Sequence, residues 1–134
     1  MAGFLDSNVA LRYLTHDHEE LFQAARRLID SDEALYITHA IVAEIGHVLL
    51  TVYRLARSDV VDAVVGLLAR NNIHVCTDSP HELREALLLC RDSGRVSIND
   101  ALLWATARAS RTPVVYTFDR RFPAQGISVR QPGS

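Results

Sequence analysis

Four carboxylates occupy positions from which they could share one reaction site: Asp6, Glu44, Asp100 and Asp119. Asp6 follows the short apolar run Gly3 to Leu5, and Asp119 follows Val114 to Thr117 by two residues. Both are therefore expected at the C-terminal rim of a sheet, where open α/β folds collect their ligands. Asp100 falls in the first turn of a helix that opens near Ser97 and can start beside that rim. Glu44 comes three residues after Ile41 and four before Val48, a spacing that predicts its side chain along an apolar stripe, where a carboxylate needs a partner or a cavity. Each acid has an ordinary alternative. Asp6 and Asp119 could be turn residues, Ser97-Ile98-Asn99-Asp100 fits a capping box, and Glu44 could flank its stripe and reach water. Taken together, the four exceptions point to one region. Carboxylates sharing a cleft repel one another, which raises some of their pKa values or demands a cation, and oxygen ligands without His or Cys suit Mg²⁺ or Mn²⁺. A metal that keeps several waters orients and acidifies one of them and offsets charge on a phosphate, so the expected chemistry is metal-assisted phosphodiester hydrolysis.

The elements that must position these acids alternate along the chain. A strand at Gly3 to Leu5 leads to a helix capped by Ser7 that runs to about Thr15, and a second helix covers 18–30. Leu35 to Ile37 is the next strand, and Thr38 caps a helix carrying Ile41, Ile45, Val48 and Val52. Ser58 caps another through Val61, Val64, Val65 and Leu68, stopped by Asn71-Asn72. Ile73 to Thr77 is a strand broken at Asp78. Ser79-Pro80-His81-Glu82 is a helix start with proline at the first position, and Gly94 ends that helix region. Ser97 caps a helix from Ile98 to about Ser110, Pro113 to Thr117 is a buried-strand pattern, and Ile127 to Arg130 a last short strand. Strands separated by helices pair in parallel through helical crossovers. The expected fold is a three-layer α/β/α sandwich with a mainly parallel central sheet, in a single domain over 1–134.

Composition narrows the chemistry further. All 14 basic residues are arginine, so lysine-dependent P-loop and Schiff-base enzymes are excluded. At a net charge of -2 the chain lacks the overall basic balance of most nucleic-acid binders, so any phosphate must meet locally concentrated arginine. Cys76 and Cys90 form no disulfide framework or zinc spacing and read as buried thiols. No apolar stretch is long enough for a membrane span and the start lacks the features of a signal peptide, so a cytoplasmic location is expected.

Over nearly its whole length the chain resembles the PIN-domain ribonucleases, in particular the VapC toxins of toxin-antitoxin modules. Phe4-Leu5-Asp6-Ser7-Asn8-Val9 looks like the family's apolar strand followed by D-[ST]-N-V, and Val42-Ala43-Glu44-Ile45 like its glutamate-bearing helix. Asn99-Asp100-Ala101-Leu102-Leu103-Trp104-Ala105 is similar to its D-A-x-[IL]-x-A helix, and Thr117-Phe118-Asp119-Arg120-Arg121-Phe122 to its closing T-x-D-x-x-F. The resemblance implies an Mg²⁺- or Mn²⁺-dependent endoribonuclease that leaves 5′-phosphate and 3′-hydroxyl ends. It implies Asp6, Asp100 and Asp119 as metal ligands, Glu44 as ligand or supporting acid, and Asn8 and Thr117 as supporting groups. The implied partners are an RNA substrate, a cognate antitoxin and a second copy in a homodimer. Trp104 departs from the small residue usual at its position and reads as core, and Arg12, Arg95, Arg120 and Arg121 are the arginines nearest in sequence to the proposed rim.

Other assignments fit less well. A receiver domain relies on a lysine, and a haloacid-dehalogenase-type phosphatase wants a second aspartate where Asn8 stands. The non-enzymatic alternative is a catalytically silent PIN-like module that binds RNA or protein, for which four retained acids would have no purpose.

Overall fold

The computed structural model describes residues 2–77, 79–93 and 95–133; the breaks expected at Asp78 and Gly94 lie outside the described residues. In chain order the elements are β1 (Gly3–Phe4), α1 (Ser7–Thr15), α2 (Glu19–Ile29), β2 (Leu35–Ile37), α3 (His39–Thr51), α4 (Arg57–Leu68), β3 (Ile73–Val75), α5 (Pro80–Arg91), α6 (Ile98–Ala109), β4 (Val114–Tyr116) and β5 (Ser128–Arg130). Every strand pairing among the described residues is parallel, so the fold is mainly parallel α/β as expected. The chain divides into two compact units, 1–77 and 78–134.

In the first unit the strands lie in the order β1-β2-β3, with Phe4 opposite Tyr36 and Tyr36 opposite His74. Parallel neighbours need crossover connections, and the pairs α1–α2 and α3–α4 supply them. Strand alternation buries Leu35, Ile37 and Ile73 and leaves Tyr36 and His74 exposed. With Phe4 these exposed residues form a row of rings whose centroids are 5.7 and 5.5 Å apart. Helix α1 packs on α2 and α3, and α3 on α4. Ile29, Val42, Ile45, Leu49, Val60 and Val61 are fully buried. Each such side chain contributes roughly 1.5–3 kcal/mol relative to leaving it exposed.

Caps set where the helices begin. Thr38 caps α3 as expected, its hydroxyl accepting from the Ile41 N–H at 3.2 Å. The first helix is capped one residue earlier than expected: Asp6 takes the N-cap position and accepts from the Ser7 N–H at 2.7 Å, leaving Ser7 buried as the first helical residue. Helix α4 likewise opens before Ser58, with Ala56 at the N-cap and no side-chain cap. Its start is held by core packing of Val60 and Val61 instead. The stop at Asn71-Asn72 has a larger task than ending a helix. The Asn72 amide donates to the Ile29, Ser31 and Glu33 carbonyls at 3.0–3.1 Å and so ties the α2–β2 loop to the entry of β3.

In the second unit α5 packs on α6 and α6 on β4, which pairs with β5. Leu83, Ala86, Leu87, Cys90, Ala101, Leu102, Trp104 and Ala105 are buried. Trp104 is core, as expected: its indole N–H donates to the Gln125 carbonyl at 3.0 Å, and the Arg108 guanidinium lies 4.9 Å from its ring centroid. Arg108 also reaches Glu82 at 3.4 Å and Glu85 at 3.1 Å, so helix α6 is clamped to α5 by an ion-pair cluster. Gly126 turns the chain at a φ of 75°, and a Cβ there would sit 3.0 Å from the Arg108 Nε. The reading of both cysteines as buried holds for Cys90 only; Cys76 is exposed just beyond β3, in the outward phase of the alternation that also exposes His74. Among the described residues no helix is long and apolar enough to cross a membrane.

Candidate functional site

Because β1, β2 and β3 are parallel, their C-terminal ends share one edge of the first unit's sheet. Asp6 stands at that edge, exposed, with one carboxylate oxygen accepting from the Ser7 N–H and the other left for a ligand. Asn8 is exposed one turn in and lines a groove between α1 and α2 with Val9, Arg12, Leu21, Ala24 and Leu28, of about 420 Å³. Among the described residues its amide bonds neither Asp6 nor any other group.

Glu44 departs from expectation. The buried residues of α3 are Val42, Ile45, Gly46 and Leu49, whereas Ile41 and Val48 are only half-buried. At about 100° per residue Glu44 lies on the far side of the helix from that face, so its carboxylate is exposed rather than set along the apolar stripe. The misreading came from anchoring the stripe on Ile41 and Val48 instead of Val42 and Leu49.

Asp100 is half-buried as the third residue of α6. Its N–H donates to the Ser97 hydroxyl at 3.0 Å, which satisfies the cap. The reciprocal bond of a capping box is missing: among the described residues the Asp100 carboxylate has no hydrogen bond or ion pair. Capping accounts for its backbone and leaves its charge unexplained.

Asp119 and Thr117 are brought together in the turn after β4. The Thr117 N–H donates to the Arg130 carbonyl of β5 at 3.0 Å, and its hydroxyl accepts from the Asp119 N–H at the same distance. One Asp119 oxygen accepts from the Arg121 N–H at 2.9 Å, and the side chain is exposed. Thr117 thus fixes the backbone that presents Asp119.

Asp6 and Glu44 belong to the first unit, Asp100 and Asp119 to the second. Among the described residues no three His, Cys, Asp or Glu side chains form a ready-made cation cage. Among the described residues none of the four acids is ion-paired, in contrast to Asp17, Glu19, Asp30, Glu82, Glu85 and Asp92. Their donor chemistry, unpaired carboxylate oxygens without thiol or imidazole, fits a hard divalent cation. Arg12 is committed to Asp17 at 3.1 Å, while Arg95 and Arg121 are exposed and have no ion-pair partner among the described residues.

One residue that sequence reasoning passed over is His39, which opens α3 where β2 ends. Its Nε2 is buried without a hydrogen-bond partner among the described residues, and burial pushes its pKa down. A lone histidine after a helix cap carries no spacing signal, so nothing in the sequence marked it.

The model of the PIN domain family matches residues 3–127. No curated protein shows a significant match to the chain. With the match running from β1 to the approach to β5 through all four acids, the chain belongs to the PIN domain family, whose fold it shares and which suggests a nuclease-type function.

Proposed function

We propose that the chain is a divalent-metal-dependent endoribonuclease in which Asp6, Glu44, Asp100 and Asp119 hold Mg²⁺ or Mn²⁺. The observation that carries this reading is Asp100, a half-buried carboxylate with no partner among the described residues in a helix whose cap is already satisfied by Ser97. Leaving a charge partly desolvated and unpaired is costly unless a ligand repays it. When bound, the metal supplies an oriented, acidified water and offsets charge on the phosphate. The protein's own part is positional. Ser97 fixes the backbone of Asp100, and Thr117 fixes that of Asp119. On this reading residues 1–134 are one PIN domain.

The finer reading is a toxin that cuts cellular RNA to 5′-phosphate and 3′-hydroxyl ends in the cytoplasm, held in check by an antitoxin and working as a homodimer. The apolar groove between α1 and α2, with Leu21 and Leu28 exposed along it, supports a protein partner. The alternative of a catalytically silent binding module predicts the same grooves without turnover.

Incubation of the purified protein with total RNA, with Mg²⁺, with Mn²⁺ and with chelator, decides between them. Discrete fragments that need metal and vanish in Asp6→Asn support the nuclease. RNA left intact in every condition, together with harmless expression in cells, points to the silent module.

A further inference from the structure

The charge of this chain is unevenly distributed. Residues 1–77 carry six arginines against ten carboxylates, while residues 78–134 carry eight arginines against six. A chain acidic as a whole therefore has a basic C-terminal unit, and within it two turns converge on one open groove of about 800 Å³.

The first turn follows α5. The Ser93 hydroxyl accepts from the backbone N–H groups of both Arg95 and Val96 at 3.1 Å, which bends the chain tightly and presents the Arg95 side chain on the groove wall. The second follows β4. Asp119 accepts from the Arg121 N–H at 2.9 Å, the Phe122 N–H donates to the Asp119 carbonyl at 3.3 Å, and the buried Phe122 ring anchors the turn. Arg121 lines the same groove, two residues from Asp119. Both guanidinium groups are exposed, and among the described residues neither has an ion-pair partner. Among the described residues the one acid on the groove, Asp92, is engaged by Arg91 at 3.0 Å. Phe122 and Pro123 form part of the lining and Gln125 adds an amide.

We infer that this groove is a phosphate-binding subsite, in which Arg95 and Arg121 take a backbone phosphate of single-stranded RNA beside the candidate metal ligand Asp119. Guanidinium groups suit this task because their planar N–H pairs match phosphate oxygens, and in a chain without lysine they are the only permanent cations. Side-chain-to-backbone bonds fix the backbone from which both arginines project. The inference rests on the nuclease reading for the choice of RNA over other phosphate ligands. Such contacts position the strand and carry no base preference.

The test uses a fluorescein-labelled single-stranded RNA of mixed sequence, followed by anisotropy over a range of NaCl concentrations with chelator present. The double variant Arg95→Gln/Arg121→Gln is expected to bind about tenfold more weakly at low salt and to lose about 0.7 from the slope of log affinity against log salt, the amount for one single-strand phosphate contact. Arg95→Lys/Arg121→Lys, which keeps both charges, should retain most of the slope, and Arg84→Gln should match the wild type. Unchanged affinity and slope in the Gln double variant would overturn the inference, as would absence of measurable RNA binding by the wild type. A cleavage assay separates this from the nuclease reading. Metal-dependent cleavage that is indifferent to both arginines removes the subsite and leaves the nuclease. Arginine-dependent RNA binding without any cleavage removes the nuclease and leaves the subsite.

Discussion

Replacing Asp100 by Asn separates a catalytic carboxylate from a capping one. The substitution keeps the backbone N–H that donates to Ser97 and removes only a charge that has no partner among the described residues. The stability cost is then limited to the interaction of an acid with the first turn of α6, about 0.3–1 kcal/mol. For a chain of this size that lowers Tm by roughly 1–5 °C. Relief of repulsion from neighbouring acids would offset part of it. The loss of activity should be far larger, because one oxygen ligand of a metal that stabilises transition-state charge by several kcal/mol is gone, and about 4 kcal/mol corresponds to roughly a thousandfold in rate. Ser97→Ala is the complementary change: it deletes the cap, costs about 1 kcal/mol of stability, and leaves every acid in place. Thermal melts and a fluorogenic RNA cleavage assay on both variants read the two effects. A large fall in Tm for Asp100→Asn with cleavage retained would refute the reasoning, since the carboxylate would then be structural.

Three further outcomes follow from the described contacts. Asn72→Ala should lower stability by about 2–3 kcal/mol, read from the urea midpoint, because three carbonyls lose a shared donor and the loop between α2 and β2 loses its tie to β3. Asp17 is held at a pKa of about 2, first by the Tyr53 hydroxyl and also by Thr15 and Arg12. Its contribution is therefore fully present above the ordinary value of 3.8 and is lost as pH falls from there toward 2. Tyr53→Phe should flatten that acid limb in melts run across pH 2 to 5. An unchanged limb would show that Tyr53 is not the dominant partner. Leu49→Ala, at a fully buried position on α3, should cost about 2–5 kcal/mol, and a cost below 1 kcal/mol would contradict the placement of the core.

The order of strands and helices was readable because apolar runs of three residues, helical spacing and capping residues are local signals, and they survive in β2, α3, α5 and α6 nearly as expected. What failed was decided by competition between neighbours. Asp6 outcompeted Ser7 for the cap of α1, and α4 starts on packing without a side-chain cap. Glu44 was misplaced because Ile41 and Val48 are as apolar as Val42 and Leu49, and only the packed neighbours of α3 decide which pair turns inward. The ties that hold the loops were invisible for a different reason. Arg70 meets Asp30 at 2.7 Å and Asn72 meets the carbonyls after α2 across about forty residues of chain, and separations of that size leave no spacing to read. The candidate acids were identifiable by type and by element ends. The lack of partners around Asp100 and the pairing of Arg95 with Arg121 on one groove needed coordinates.

The central claim is that Asp6, Glu44, Asp100 and Asp119 hold one divalent-metal site. Calorimetric titration with Mn²⁺ in the absence of RNA tests it most directly, on the wild type and on Asp6→Asn, Glu44→Gln, Asp100→Asn and Asp119→Asn. Binding by the folded wild type is expected, weakened about tenfold or more in each variant. Wild-type affinity in all four variants, or a folded wild type that takes up no Mn²⁺, would contradict it.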